Sequence, residues 1–242
     1  DLFLVDSDGG KADPLLLGEA YESNPVWSND GTKLAYTSDL YGNFDIFIFD
    51  LKSRESTRLT FHSAKQVPWT FSPDDKFILF SATMDDAVKN VQFPYGMLTE
   101  LYKVPVTGGR IIQCLTTSAE NVQVSKDGSM MLYQDVKGYE DPWRKHHTSS
   151  VTRDIWIYNK ALEKHTMLST FEGEDRNPVF DNKEERMFFL SEQNGSFNVY
   201  EKALSAESPE KQLTSFDKHP VRFLSIASDN TLAFIYDGGL YT

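Results

Sequence analysis

Short runs of alternating apolar and polar residues follow one another along most of the chain, separated by clusters of Asp, Asn, Gly, Pro and Ser. Such alternation is typical of β-strands that turn one face to a protein core, and the clusters supply the residues that tight turns need. Between these runs we find no apolar periodicity of the kind that marks an amphipathic helix. The pattern therefore predicts an all-β protein.

One combination of strands recurs along the sequence. A strand, a polar turn and a second strand occur five times, the last time more loosely: NPVWSNDGTKLAYTS (24–38), VPWTFSPDDKFILFS (67–81), NVQVSKDGSMMLYQD (121–135), NPVFDNKEERMFFLS (177–191) and RFLSIASDNTLAFIY (222–236). A third strand follows, with a polar residue, an aliphatic one and an aromatic one at its start, as in Asp45-Ile46-Phe47. A short fourth strand, such as TRLT (57–60), closes most repeats.

Four antiparallel strands that recur in this way are typical of β-propeller blades, and we label them a, b, c and d. A Greek-key sandwich, the alternative all-β fold, does not predict the same motif five times. Residues 1–17 supply only strands c and d, and residues 221–242 supply a, b and the start of c. We therefore predict a single β-propeller domain, residues 1–242, with six blade positions of four-stranded antiparallel sheets.

In this prediction the first and last blades are incomplete, the two end segments lie beside each other, and the chain is a fragment of a longer multidomain protein. A five-bladed ring would require the two end copies of strand c to compete for one position. The a–b turns also differ among repeats, since Asp-Gly is replaced by Asp74-Asp75 in one and by Lys183-Glu184 in another. These differences indicate turns that no longer share one chemistry.

The motif NPVWSNDGTKLAYTS, followed by GNFDIFIFDL (42–51) and TRLT, resembles the propeller repeat of TolB and of tricorn-type proteases. The insertion QDVKGYEDPWRKHHTSSVTRDIWIY (134–158) is most similar to the N-terminal propeller of bacterial tricorn-like serine proteases. In that family, propellers precede a PDZ module and a serine-peptidase region. The resemblance implies a non-catalytic domain that recognises, gates or channels peptides for a protease elsewhere in the parent protein. The resemblance to TolB implies the alternative, a protein–protein interaction scaffold that handles no substrate.

Charge and cysteine content narrow the range of partners. The formal net charge of −12 repels a phosphate backbone, so we predict no nucleic-acid partner. Cys114, the only cysteine, rules out an internal disulfide and a thiolate-rich zinc site built by this chain alone.

No apolar run approaches the roughly 18–20 residues of a membrane helix. A reducing cytoplasm and a periplasm both fit these features, and we favour the bacterial periplasm.

The sequence contains neither GxSxG nor HExxH and no phosphate-binding loop, so we assign no catalytic residue and no cofactor. Four of the five histidines, His62, His146, His147 and His219, fall in loops that a propeller presents on one face. A zinc site would need three or four such groups around one ion. Because loop histidines are more often solvated, we assign no metal site. Because the catalytic motifs are missing, we expect no peptidase or esterase activity from this chain.

The connection between strands b and c in the repeat that begins at residue 121 is far longer than a hairpin needs, since it runs from about residue 135 to 153. Residues 137–153 carry four basic side chains against two acidic ones, on an acidic protein. Aromatic residues and Arg are favoured at binding hot spots. We therefore predict a flap that contacts a peptide or a protein partner through Tyr139, Trp143, Arg144, Lys145, His146, His147 and Arg153.

The preceding repeat has its own b–c insertion, TMDDAVKNVQFPYGMLT (83–99). We add Phe93 and Tyr95 of this insertion to the predicted flap, because adjacent blades would place the two insertions side by side. In the alternative interpretation Trp143 and Pro142 hold the loop on its own blade and the charges are solvated. The insertions would then pack on each other or on a neighbouring domain.

Overall fold

The computed structural model describes residues 1–84, 98–139, 141 and 149–242. Every secondary-structure element found in these residues is a β-strand, so the prediction of an all-β protein is confirmed. The described part of the chain contains no helix that is long and apolar enough to cross a membrane.

The strands are two to six residues long and alternate with turns. The first ten are β1 (Leu2–Leu4), β2 (Asp13–Leu16), β3 (Glu22–Trp27), β4 (Lys33–Ser38), β5 (Asp45–Asp50), β6 (Glu55–Arg58), β7 (Gln66–Phe71), β8 (Phe77–Ala82), β9 (Glu100–Pro105) and β10 (Ile112–Leu115). The others are β11 (Ala119–Val124), β12 (Met130–Asp135), β13 (Ile155–Asn159), β14 (Lys164–Met167), β15 (Asp175–Phe180), β16 (Arg186–Ser191), β17 (Asn198–Ala203), β18 (Lys211–Gln212), β19 (Arg222–Ile226), β20 (Leu232–Tyr236) and β21 (Gly239–Tyr241).

The chain divides into two compact units, an N-terminal unit of residues 1–118 and a C-terminal unit of residues 119–242. In the N-terminal unit β1 and β2 form a two-stranded sheet, and β3–β6 and β7–β10 form four-stranded sheets. In the C-terminal unit β11–β14 and β15–β18 form four-stranded sheets, and β19–β21 form a three-stranded sheet. Every strand pairs antiparallel with the next strand of its sheet, as in the first complete sheet. A single domain with adjoining ends stays a prediction.

The prediction of six blade positions is corrected to five blades. Four sheets have the complete set of four strands, and the sheet β19–β21 has three. The remaining sheet, β1–β2, is a two-stranded ribbon, and such a ribbon is marginal by itself because it has too little apolar surface to bury. It rests instead on the blade β3–β6, where Leu2 and Leu15 join one apolar cluster with Leu34 and Phe49.

Neighbouring sheets within each unit pack face to face. The middle strands are therefore covered on both sides, and residues 34–38 of β4 and 45–49 of β5 are all buried. Outer strands such as β6 are mostly exposed. This arrangement explains the near-continuous apolar runs in strands b and c and the polar runs in strand d.

The five a–b turns share one backbone conformation despite their different sequences. The fourth residue of each turn is left-handed, with φ between +53° and +73°: Gly31, Asp75, Gly128, Glu184 and Asn230. Its N–H donates to the carbonyl of the first turn residue at 2.8–3.0 Å. Asp75 and Glu184 thus adopt the conformation that Gly31 and Gly128 adopt, so the turns keep one backbone geometry while their side chains differ.

Where the left-handed residue has a side chain, that side chain links two blades. It accepts a hydrogen bond from the backbone N–H of the second turn residue of the preceding blade: Asp75 from Asn29 at 2.9 Å, Glu184 from Lys126 at 2.6 Å and Asn230 from Asn182 at 2.6 Å. We call these three hydrogen bonds the turn staples. They fasten consecutive blades at the end of the sheets opposite to the b–c connections.

Candidate functional site at the base of the long connection

The long connection leaves β12 at Asp135 and returns to β13 at Ile155, as the sequence predicts. Its two arms touch at Gly138 and Val151. A Cβ atom at position 138 would lie 2.9 Å from Val151 Cγ1, closer than two carbon atoms can approach without a shift. Only glycine therefore lets the outgoing and returning arms pack at this distance. The base of the connection is a closed neck.

Lys137 holds the neck together by its charge. Its ammonium group pairs with the carboxylate of Asp154, lies 3.6 Å from Asp135 Oδ2, and donates a hydrogen bond of 2.8 Å to the carbonyl of Thr152. Asp135 Oδ1 also accepts a hydrogen bond of 2.8 Å from the backbone N–H of Asp154. Burial raises the pKa of Asp135, and this hydrogen bond and Lys137 oppose the rise. Lys137 is thus used within the neck.

Arg153, at the end of the returning arm, is also engaged in ion pairs. Its side chain is 14% exposed, with Nε 3.7 Å from Glu120 Oε2 and Nη1 3.8 Å from Glu174 Oε1. Two of the four basic residues predicted to make this connection attractive to acidic ligands, Lys137 and Arg153, are therefore neutralised at its base. The other two, Arg144 and Lys145, lie outside the described residues.

Glu174 is the centre of a buried charged cluster. It is fully buried, and Arg176 donates a hydrogen bond of 3.4 Å to its Oε1 while Arg153 pairs with the same oxygen. The backbone N–H of Glu174 donates to Glu192 Oε1 at 3.3 Å. The Arg176 guanidinium also lies 3.9 Å from the centroid of the Phe197 ring, a cation–π contact. The cluster fixes the start of β15 against the neck.

Asp175, the next residue, is fully buried, and neither of its carboxyl oxygens has a hydrogen bond of good geometry within the described residues. Burial raises the pKa of Asp175 to about 7, and the charges of Glu210 and Asp154 act in the same direction. The nearby hydroxyl groups of Ser191 and Ser169 oppose this rise. A carboxyl group that titrates near neutral pH therefore lies directly beneath the connection.

The connection also reaches toward β19. Burial lowers the pKa of Arg222 in β19, and the negative charges of Asp141 and Glu174 oppose that effect. Asp141 belongs to the long connection, so the connection extends from the blade β11–β14 into the electrostatic range of the last blade. Tyr139, two residues earlier, is 71% exposed. The described part of the connection thus presents an aromatic side chain above a base held by ion pairs.

The predicted flap is only partly described. Tyr139 lies exposed on the neck, and Arg153 lies in the buried cluster beneath it. The other seven predicted residues are outside the described residues: Phe93, Tyr95, Trp143, Arg144, Lys145, His146 and His147. Their contribution stays a prediction.

Sequence reasoning missed Glu174, Arg176 and Glu192. A signal was present, because GEDR (173–176) puts three consecutive charged residues at the start of a strand a, where the other repeats have mostly uncharged residues. No cluster of three or more His, Cys, Asp or Glu side chains suited to a metal ion occurs in the described ranges. The arrangement is suited to positioning a loop by ion pairs.

Comparison by sequence finds one family. The model described as "Tricorn protease N-terminal beta propeller domain" matches residues 1–242. No curated protein matches the sequence.

Solved structures share the fold. The crystal structure of the tricorn protease superposes with a TM-score of 0.78 at 20% identity, over 100% of this chain and 23% of that chain. TolB from Acinetobacter baumannii gives a TM-score of 0.69 at 17% identity, over 98% of this chain and 57% of that one. A putative TolB from Agrobacterium tumefaciens gives 0.70 at 17% identity, over 96% and 76%. The chain therefore spans about a quarter of the tricorn protease structure and just over half of the Acinetobacter TolB structure.

Proposed function

Because the chain belongs to the family of tricorn protease N-terminal β-propeller domains, we propose that it recognises, gates or channels peptides for a protease located elsewhere in its parent protein. The propeller itself is a non-catalytic part of that protease. The resemblance to TolB and tricorn propellers predicted from the repeats is confirmed. Peptides, or a protein partner, and the other domains of the parent chain are the proposed partners.

The closed neck of the long connection carries this proposal. Loops that only join two strands need two to five residues. In this connection a glycine contact, a lysine–carboxylate pair and an ion-paired arginine hold the two arms. A fixed base lowers the entropic cost of ordering a loop on a ligand. The predicted flap residues Trp143, Arg144 and Lys145 would then contact a peptide, with the basic pair facing its carboxylate.

The test uses a double variant of the flap. A synthetic hexapeptide with alternating Glu and Leu and a free C-terminal carboxylate is titrated calorimetrically into the wild-type chain and into Trp143→Ala/Arg144→Ala. We expect binding to weaken by about 1–3 kcal/mol for the pair, as at interface hot spots. We expect the melting temperature to change little, because a surface loop contributes little to a core of sheet faces.

The matched control is Leu162→Ala/Lys164→Ala, which removes an apolar and a basic side chain that are both exposed in the β13–β14 hairpin. It should leave both binding and melting temperature unchanged. A clear drop in melting temperature of the flap variant with unaltered binding would mean that the connection is a structural decoration.

A second candidate function is a TolB-like interaction scaffold with no role in handling substrates. The two TolB structures favour it, because they match nearly the whole of this chain at TM-scores close to 0.7. Peptide processing by the full-length parent separates the two functions. The flap variant should slow processing if the propeller handles peptides, and leave its rate unchanged if the propeller only docks a partner. The bacterial periplasm stays our prediction for the compartment.

A further inference from the structure

An exposed aromatic surface lies on the N-terminal unit, at the end of the blade β3–β6 where its b–c connection emerges. We call it the aromatic patch and define it by Tyr21, Leu40, Tyr41 and Phe61, which are 58–72% exposed. They come from three connections: β2–β3, β4–β5 and β6–β7. The backbone N–H of Tyr21 donates to Asp39 Oδ1 at 2.8 Å and ties two of these connections together.

A column of stacked groups rises from the core to this patch. Phe47, which is 3% exposed, stacks on Tyr41 with a centroid distance of 6.2 Å and an angle of 12°. The Arg58 guanidinium lies on the next level, 4.8 Å from the Tyr41 centroid and 4.6 Å from the Phe61 centroid. Phe61, 72% exposed, ends the column. The outermost ring is thus supported from below by the protein core.

Arg58 is itself held in place on both sides. Its Nη2 pairs with Asp45 Oδ2 at 2.6 Å, and its Nε donates to the carbonyl of Thr60 at 2.9 Å. Asp45 is fully buried. Because these bonds hold the guanidinium, its contacts favour one orientation of the Tyr41 and Phe61 rings, which reduces the side-chain entropy lost when a ligand binds to them.

Rings at this end of the blade already take cations on their faces. Arg58 lies between Tyr41 and Phe61, and Lys65 Nζ lies 5.3 Å from the centroid of Phe44. Phe44 in turn contacts Tyr21 edge-to-face at 6.1 Å. Such contacts are attractive because the face of an aromatic ring is electron-rich. The outward faces of Phe61 and Tyr21 offer the same chemistry to a cation from outside.

The charge around the patch also favours a cationic ligand. The three connections and their strand ends, residues 17–22, 39–45 and 58–65, contain four carboxylates and two cations. Arg58 is paired with Asp45, and Glu22 Oε2 lies 3.0 Å from the N-terminal ammonium, so Glu19 and Asp39 remain against Lys65. Glu19 is exposed and lies two residues before Tyr21 in the sequence. A second copy of this chain is a poor occupant, since each copy carries a net charge of −12.

We propose that the aromatic patch docks an extended peptide segment in which Arg or Lys side chains alternate with apolar ones. The cations stack on the outward faces of Phe61 and Tyr21, and an apolar side chain packs on Leu40. A patch of several large exposed apolar side chains on a folded domain is typical of an interaction surface. The site lies in the N-terminal unit and uses no residue of the long connection, so it goes beyond the function proposed above and can fail independently of it.

The test is a binding titration with two synthetic peptides. The first alternates Arg and Leu over eight residues, and the second replaces each Arg with Glu. Fluorescence anisotropy of the labelled peptides is followed against the wild-type chain and against Phe61→Ala. We expect the Arg–Leu peptide to bind, the Glu–Leu peptide not to bind at this patch, and Phe61→Ala to weaken the first by about tenfold.

Two further variants control this result. Leu162→Ala removes an apolar side chain that is 70% exposed elsewhere and should leave the affinity unchanged. Glu19→Lys reverses an exposed charge two residues before Tyr21 in the sequence and should weaken binding of the Arg–Leu peptide severalfold, with a smaller effect at high salt. The melting temperatures of all variants should stay within a few degrees of wild type, because the altered groups are exposed.

Several outcomes would overturn the proposal. These are an equal loss of affinity for both peptides in Phe61→Ala, unchanged affinity of the Arg–Leu peptide in Phe61→Ala, and absence of binding by the Arg–Leu peptide. Sedimentation that shows self-association of the wild type, abolished by Phe61→Ala, would assign the patch to a second copy of the chain instead.

Discussion

The carboxylate of Glu184 accepts a hydrogen bond of 2.6 Å from the backbone N–H of Lys126, a residue 58 positions earlier in the preceding blade. Glu184 is left-handed, with φ of +58°, a conformation in which a residue with a Cβ atom is strained by roughly 1–2 kcal/mol relative to glycine. The strain is therefore offset by a contact that glycine cannot make. Substitution of Glu184 separates the backbone strain from the contribution of the hydrogen bond.

Replacement of Glu184 by Ala keeps the strain and removes the acceptor. Because the Lys126 N–H then turns to water, we expect a loss of about 1 kcal/mol in the free energy of unfolding. Glu184→Gln, the matched control, keeps an oxygen acceptor at the same distance and should stay within about 0.5 kcal/mol of wild type. Urea denaturation measures both. Equal destabilisation of the two variants would show that the turn staple contributes nothing.

The sequence predicted the five turns but not their common geometry. Asp-Asp and Lys-Glu in place of Asp-Gly suggest divergence when each turn is considered alone, because left-handed residues are normally glycine or asparagine. The acceptor role of Asp75 and Glu184 depends on a donor in another blade, more than 40 residues away in sequence. Single-sequence patterns describe neighbours along the chain, so such a contact becomes visible only when the blades are packed.

The neck contact between Gly138 and Val151 yields a second prediction. Gly138→Ala places a methyl group 2.9 Å from Val151 Cγ1, and we expect it to destabilise the chain by about 1–3 kcal/mol through overpacking. Val151→Ala in the same chain removes the obstructing methyl groups. The double variant should therefore recover much of the stability lost by Gly138→Ala.

A thermodynamic cycle of these four proteins gives the coupling energy directly. A strictly additive double variant would contradict the proposed contact. Binding of the acidic hexapeptide, measured on the same proteins, reports whether a loosened neck also weakens the flap.

The buried cluster around Glu174 predicts that one conservative substitution of this residue strongly lowers the free energy of unfolding. Glu174→Gln keeps the shape of the side chain but leaves Arg153 and Arg176 without their shared buried carboxylate. Loss of one partner of a buried ion pair typically costs about 3–5 kcal/mol. Glu120→Gln, which removes a carboxylate that is 25% exposed, should cost about 1 kcal/mol or less. Chemical denaturation with similar losses for both variants would refute the central position of Glu174.

Asp175 predicts a pH dependence of stability. Its pKa is about 7 in the folded protein, against about 3.9 in an unfolded chain. Between these pH values the folded state holds a proton that the unfolded state has lost, so this group makes stability fall as the pH rises from about 4 to about 7. Above about pH 7 its contribution is constant.

Asp175→Asn stays uncharged at every pH and should remove that slope. In urea denaturation we expect the variant to exceed wild type in stability by a margin that grows from pH 5 to pH 7.5. Asp127→Asn is the control, because hydrogen bonds from Ser125 and Ser129 lower the pKa of Asp127 to about 2, so its titration lies below this range. Parallel profiles for wild type and Asp175→Asn would show that Asp175 is already ionised at pH 5.

For the candidate site, the length of the connection between β12 and β13 was more informative than the types of residue in it. The excess length of the connection after Asp135 pointed to the segment whose described ends form the neck. Arg153, included in the predicted flap for its charge, pairs with Glu120 and Glu174 at the base of the connection. Charge alone does not distinguish a cation that faces solvent from one that is paired, because the partners Glu120 and Glu174 come from two other strands or loops. The aromatic patch was missed since its rings are spread over three connections.

The turn staples give the blades a direction. In each staple the acceptor side chain belongs to the later blade and the backbone donor to the earlier one, so the residue type that suits the acceptor position depends on the preceding blade. Blades rearranged by gene duplication or by engineering would therefore keep a staple only where Asp, Glu or Asn at the left-handed turn position follows a blade whose second turn residue is not proline, because proline has no N–H to donate.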